Sequence, residues 1–156
     1  PVEAIAGHVL VAAALQVDFA RRAALIDPAA LHPIGDGVCP ACGSRPGVSL
    51  ITGRQGAHGT RYCVCSLCST QWHHVRIKCV MCGSTKGISL QEIEGGPGTV
   101  KVETCAECRR YVKILHQHKD PALDPVADDV ASLGLDLLVR ETGLARGSTD
   151  PFMLGY

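Results

Sequence analysis

Hydrophobic positions recur with two different periods along the chain. Val2, Ile5, Ala6, Val9, Leu10, Ala13 and Val17 follow helical spacing and predict a helix from Val2 to Ile26, ended by Asp27-Pro28. Arg21 and Arg22 lie where they suit its C-terminal dipole, and its many alanines imply close packing on another helix. Near the other end, Val126, Val130, Leu133 and Leu137 form a second helical stripe, widened by Leu135, Leu138 and Val139. Asp124 is its expected N-cap, Pro125 its first position and Gly143 its C-cap, with Asp128 and Asp129 placed to suit the N-terminal dipole. This tail helix is the candidate partner of the first. Between the helices the pattern shortens to β-rich runs. Val48 to Thr52 and Arg61 to Val64 flank a glycine-rich turn, and Ile88 to Ile93 and Thr99 to Thr104 flank Gly95-Gly96-Pro97-Gly98.

The β-rich middle is an internal duplication. CPACGSRPGVSL, beginning at Cys39, aligns with CVMCGSTKGISL, beginning at Cys79, and the same shift of forty residues carries Cys65 onto Cys105 and Cys68 onto Cys108. Each unit reads C-x2-C-x22-C-x2-C. The expected organisation is a helix and linker over residues 1–38, two four-cysteine modules over 39–78 and 79–119, and a helix and tail over 120–156.

Composition sharpens this picture. The 156 residues are 46% hydrophobic but only 4% aromatic, so packing alone gives small modules a weak core, and something else is needed to hold the middle together. Eight of the nine cysteines fall in C-x-x-C pairs, a spacing that favours metal over disulfides. The N-terminal apolar stretch carries Glu3 and His8, lacks a basic leader, and is too short and interrupted to span a membrane, so a reducing, cytosolic compartment is expected. The chain starts at Pro1, as a fragment or processed product would. Its zero net charge hides a basic middle: residues 39–119 hold eleven basic and four acidic side chains, whereas 120–156 hold two and seven. Two tetrathiolate ions would lower the middle's +7 to roughly +3, a weak case for nucleic acid.

Two residues between cysteines let the backbone turn and aim amides at the sulfurs, and Gly43 and Gly83 after the second cysteine permit a positive φ. The repeat assigns Cys39, Cys42, Cys65 and Cys68 to one site and Cys79, Cys82, Cys105 and Cys108 to the other. Four thiolates suit structural zinc or rubredoxin-type iron, and the spacing by itself favours zinc. His73 and His74 are poorer ligand candidates, because the cysteines already fill two sites. Read as an extended strand, the connector QWHHVRIK puts Trp72, His74, Arg76 and Lys78 on one side, a candidate partner surface, although a lone tryptophan between small modules is more often a core plug. Cys63 stands outside the repeat. Its counterpart is Glu103, and a plain structural thiol is its favoured reading over a functional one. No nucleophile motif organises the Ser, His and Asp residues, so no enzyme is expected.

Several motifs together resemble the formate dehydrogenase accessory protein FdhE family. They are Cys39-Pro40-Ala41-Cys42-Gly43-Ser44, Arg61-Tyr62 before Cys65-Ser66-Leu67-Cys68, Trp72-His73, Val75-Arg76, Lys78-Cys79 and Lys119-Asp120-Pro121 leading into Asp124-Pro125. Ala127-Asp128-Asp129, Ala131-Ser132-Leu133 and Leu135-Asp136-Leu137-Leu138 extend the likeness over nearly the whole chain, with Cys63 a departure and the family's N-terminal region lacking. The resemblance implies a small metal-bound α+β fold of tandem rubredoxin-like or zinc-ribbon modules flanked by helices. It also implies two iron ions, one in each four-cysteine site, with zinc the alternative. It further implies a cytoplasmic accessory protein that binds the catalytic subunit of respiratory formate dehydrogenase. An electron carrier and, less favoured, a nucleic-acid-binding zinc ribbon are the competing readings.

Overall fold

The computed structural model describes residues 5–148. Helix α1 runs Ile5–Ala23, so the expected start at Val2 lies outside the described residues. Seven strands follow: β1 Pro46–Ile51, β2 Arg61–Cys65, β3 Gln71–His73, β4 Ile88–Gln91, β5 Val100–Cys105, β6 Arg110–Leu115 and β7 Ala145–Arg146. Helices α2, Ala127–Ala131, and α3, Leu133–Glu141, precede β7. Together they make the small α+β fold with a mixed sheet and flanking helices.

Both repeats contribute an antiparallel three-stranded piece, and the two pieces join as a single sheet in the order β3-β2-β1-β6-β5-β4. The junction is parallel, with Val48 opposite Lys113 and Leu50 opposite Leu115. Because side chains alternate along a strand, this register gives the joined sheet two distinct faces. On one, Val48, Leu50, Val64, Leu115 and Leu123 cluster, next to a second group of Val102, Tyr111, Leu135 and Val139 under α3. On the other, Cys63, Val80 and Val112 pack with Trp72 and Met81.

A sequence poor in aromatics fills the centre with long cations. Arg61 and Lys113 are the bulkiest of the fully buried side chains. From β2, Arg61 reaches the Glu103 carboxylate on β5 through two bonds of 2.8 and 2.9 Å, and it also donates to Ser49 Oγ and to the carbonyls of Arg76 and Lys78. One guanidinium therefore links the two repeats and pins the connector, a use that needs its planar set of five donors. Lys113, on the opposite face, is paired with Asp129 at 2.8 Å and with Asp136, and Arg146 holds the same two carboxylates at 2.6 and 2.8 Å. Tyr111 also donates to Asp136, at 2.9 Å. These contacts moor α2, α3 and β7 to the sheet. At least two of the middle's eleven cations thus serve the interior rather than a nucleic-acid surface.

The helices depart from expectation in two ways. The tail is two helices, not one, broken at Ser132, whose hydroxyl turns back to the carbonyls of Asp128 and Asp129. The break resets the phase, so Leu135, Asp136 and Val139 face inward while Val126, Leu137 and Leu138 of the expected stripe are exposed. Asp124 accepts from the amides of Val126 and Ala127 just ahead of α2, but the helix starts at Ala127 with Val126 at its N-cap, two residues later than expected, and Gly143 follows α3 with φ +77°. Asp129 is a buried ion-pair partner rather than a dipole complement. Helix α1, meanwhile, buries none of its residues. It faces the sheet and α2 across a groove of about 340 Å³ lined by Ala13, Val17, Ala20, Val64 and Val130, instead of packing closely on the tail.

Candidate metal centres

The strands end where the cysteines begin. β2 delivers Cys65 and β5 delivers Cys105 at their C-terminal ends, while the first knuckle of each repeat precedes β1 or β4. The knuckles are local turns with matched hydrogen bonds. Cys39 N–H donates to Ser44 O at 2.9 Å and Gly43 N–H to Cys39 O at 2.9 Å, and forty residues on Cys79 to Ser84 and Gly83 to Cys79 measure 2.8 and 2.9 Å. Gly43 and Gly83 have φ of +76° and +75°, as the turn demands.

In each group the four sulfurs all lie within 4.8 Å of one another. Cys39 and Cys68 sulfurs are 3.5 Å apart and Cys42 and Cys65 3.4 Å; in the second group Cys79–Cys108 and Cys82–Cys105 are both 3.8 Å. A tetrahedral ion with metal–sulfur bonds of about 2.3 Å needs sulfurs roughly 3.8 Å apart, so both groups are of the size to hold one, and these two pairs of the second match that spacing. Amides already point at the sulfurs: Ala41 and Met81 donate to Cys39 and Cys79, and Leu67 and Cys68 to Cys65, all at 3.4 Å. Such bonds favour thiolate. Without a cation the four thiols cannot ionise together. A hydrogen bond with Cys65 draws Cys39 down to about 5, and the same bond, then burial, pushes Cys65 up. Burial pushes Cys79 up to about 12. Zinc or ferrous/ferric iron would supply the charge that lets all four ionise.

The two groups differ in exposure. Cys39, Cys65 and Cys68 are buried and pack with Ala23 of α1, Leu67 and Trp72, so the first group is part of a core. In the second, Cys82 is exposed and Cys108 half-buried.

Cys63 joins neither group. It is fully buried among Val80, Val112 and Trp72, its thiol 3.7 Å from Ser49 Oγ, and burial pushes it up to about 11. That environment makes it an inert packing thiol. Trp72 is half-buried and packs against both the first cysteine cluster and the Cys63 cluster, which is the position of a core plug. The alternation that would gather the connector's polar residues on one side ends with β3 at His73. His74 is buried, with Nε2 3.0 Å from Lys78 O, Lys78 pairs with Asp36 at 2.8 Å, and Arg76 is exposed. Val75 and Ile77 are exposed too.

One requirement of the knuckles was missed because the residues concerned are not glycine. Ser69 and Arg109, each directly after the last cysteine of its group, have φ of +57° and +53°. Their separation by the repeat length was the available signal. A left-handed backbone costs an L-residue about 1–2 kcal/mol, and the Ser69 side chain makes no hydrogen bond among the described contacts. Ser69→Gly is therefore expected to stabilise the metal-loaded protein by about 1 kcal/mol in chemical denaturation; destabilisation would show that the turn does not set the cost.

Comparison with known proteins gives a consistent result. Two family models match, "FdhE, central domain" over residues 38–76 and "FdhE, C-terminal domain" over residues 77–153. The Protein FdhE homolog of Rhizobium meliloti (strain 1021) is 55% identical over 158 residues, covering 100% of this chain and 52% of that protein. The homolog from Cronobacter sakazakii (strain ATCC BAA-894) is 43% identical, over 90% of this chain and 46% of its own. The crystal structure of the FdhE protein from Pseudomonas aeruginosa superposes with a TM-score of 0.79 at 38% identity, over 88% of this chain and 49% of that one. The chain thus spans about half the length of the relatives it matches.

Proposed function

The chain belongs to the FdhE family, and from that premise we propose that it is an accessory protein for the maturation of respiratory formate dehydrogenase, acting by binding the catalytic subunit. The observation that carries this reading is the pair of preassembled four-thiol groups built on one continuous sheet, a two-centre platform. Iron in each group, held by Cys39, Cys42, Cys65 and Cys68 and by Cys79, Cys82, Cys105 and Cys108, is the expected metal, and zinc occupies the same donors equally well. The partner surface is assigned to the connector around Trp72, His74, Arg76 and Lys78, of which Arg76 with its neighbours Val75 and Ile77 offers the exposed part. The compartment that fits eight reduced cysteines is the cytoplasm. None of the described helices is long and apolar enough to cross a membrane.

Co-purification with the formate dehydrogenase catalytic subunit is the test. Tagged protein should retain that subunit, and replacing all eight paired cysteines should abolish retention; undiminished retention by the eight-cysteine variant would remove the metal groups from the function. Exposure of Cys82 favours a second reading, an electron carrier, because electron transfer needs a centre near the surface. Metal analysis and redox titration of anaerobically prepared protein separate the two: a colourless two-zinc protein without a reversible couple ends the carrier reading.

A further inference from the structure

Three histidines that neither cysteine group uses meet at the far end of the sheet. The rings of His116 and His118 have centroids 5.2 Å apart and those of His58 and His118 5.8 Å, all edge-on. Main-chain bonds fix the cluster: His116 N–H donates to Thr99 O at 2.7 Å and His118 N–H to Ile51 O at 3.2 Å. These positions follow β6, follow β1 and precede β5, opposite the strand ends that carry Cys65 and Cys105.

His116 is only 6% exposed, yet among the described residues neither of its ring nitrogens has a hydrogen-bond partner, and Nδ1 of His118 is buried and unpartnered there as well. An imidazole carries at least one N–H, and buried polar groups left unpaired are uncommon enough to point to something that binds them. The surrounding charge says what kind of group fits. Burial first, then His118 and the cations Lys101, Lys119 and Arg76, draw His116 down to about 4. Lys119 is held on Gly98 O at 3.0 Å, and the Arg76 guanidinium lies beside Gly59, next to His58. Two acids share this end: Glu92, paired with Lys101 at 2.9 Å, and Asp120, whose N–H meets His116 O at 3.3 Å, so the three cations outnumber them by one. Such a field repels a metal cation and attracts an anion. The three imidazoles, unlike the cysteine groups, also do not bring three ligand atoms within 4.8 Å among the described residues.

We propose that this end of the sheet is an oxyanion seat, in which the imidazoles of His58, His116 and His118 and the cations of Arg76, Lys101 and Lys119 receive a phosphate or carboxylate group. Charge-assisted donors supply the binding, and the buried His116 N–H gives it direction. The seat does not depend on the role proposed for the cysteine groups.

The test is a titration of the metal-loaded full chain, followed through the imidazole Hε1 resonances, with inorganic phosphate in one arm and acetate in the other. Saturable shifts at His116 and His118 are expected, and the arm that saturates first identifies the preferred anion. Arg76→Gln with Lys101→Gln should weaken binding about tenfold, since each removes a charge-assisted bond, while Lys86→Gln at the cysteine end should leave it unchanged. His116→Phe, of similar volume, should remove the response at His118. Failure of both anions to saturate, unchanged affinity in the Arg76/Lys101 variant, or saturation of the same resonances by Zn²⁺ in the wild-type chain would overturn the proposal.

Discussion

Cys39→Ser is expected to destabilise the metal-loaded protein by more than about 4 kcal/mol, the range reached by point changes that remove a metal ligand or a core group. Cys82→Ser should cost about half as much or less. Both substitutions remove one sulfur from a four-sulfur group, so coordination chemistry alone predicts equal effects. The difference lies in what surrounds them. Cys39 has no exposed surface and sits with Cys65, Cys68, Ala23, Leu67 and Trp72, so losing the ion there loosens α1, the first hairpin and the Trp72 plug together. Cys82 is exposed, and its ligand group can open into solvent without emptying a core. Urea unfolding of both variants under reducing conditions, with metal content measured alongside, checks this. Equal losses would mean that the first group is not coupled to packing.

Lys113→Met should cost about 3–5 kcal/mol, the penalty for stranding buried charge. Lys113 and Asp136 have no exposed surface, and the lysine ammonium lies against the Asp129 and Asp136 carboxylates while Ser132 Oγ and Asp129 O, at 3.1 and 2.6 Å, complete the set of acceptors around its three donors. Removing it leaves Arg146 as the cation on two carboxylates, with Tyr111 still donating to Asp136. The double variant Lys113→Met/Asp136→Leu restores charge balance and should recover part of the loss, because an ion pair exchanged for apolar groups is often close to neutral. Thermal unfolding of the single and double variants tests both statements. A double variant as unstable as the single would show that the hydrogen bonds of Tyr111 and Arg146 to Asp136, rather than charge pairing, hold the helices.

The cysteine groups were legible because their information is local. A C-x-x-C turn with glycine at Gly43 or Gly83 nearly builds itself, and the forty-residue repeat says which pairs belong together. The strands were legible for the same reason, their alternation lying between glycine turns. The phase of the tail was not, since the break at Ser132 depends on where Asp129 and Asp136 find Lys113 and Arg146. Nor could a strand reading of the connector foresee that the Arg61 guanidinium would take hold of the carbonyls of Arg76 and Lys78, or that His74 would be buried over Lys78 O.

Turn geometry and side-chain period act over a few residues, and so the chain's own spacing was enough to mark out the two four-cysteine groups, the repeat and the α+β plan. The tertiary structure alone decided that the repeats join edge to edge through a parallel β1–β6 pair. Arg61 meets Glu103 across 42 positions, Arg146 reaches Gly47 O across 99, and His58 approaches His118 only because the β1–β2 turn and the end of β6 share one rim. Pairings at such separations are set by which charges and surfaces must be satisfied once the sheet has closed, and no spacing along the chain encodes them.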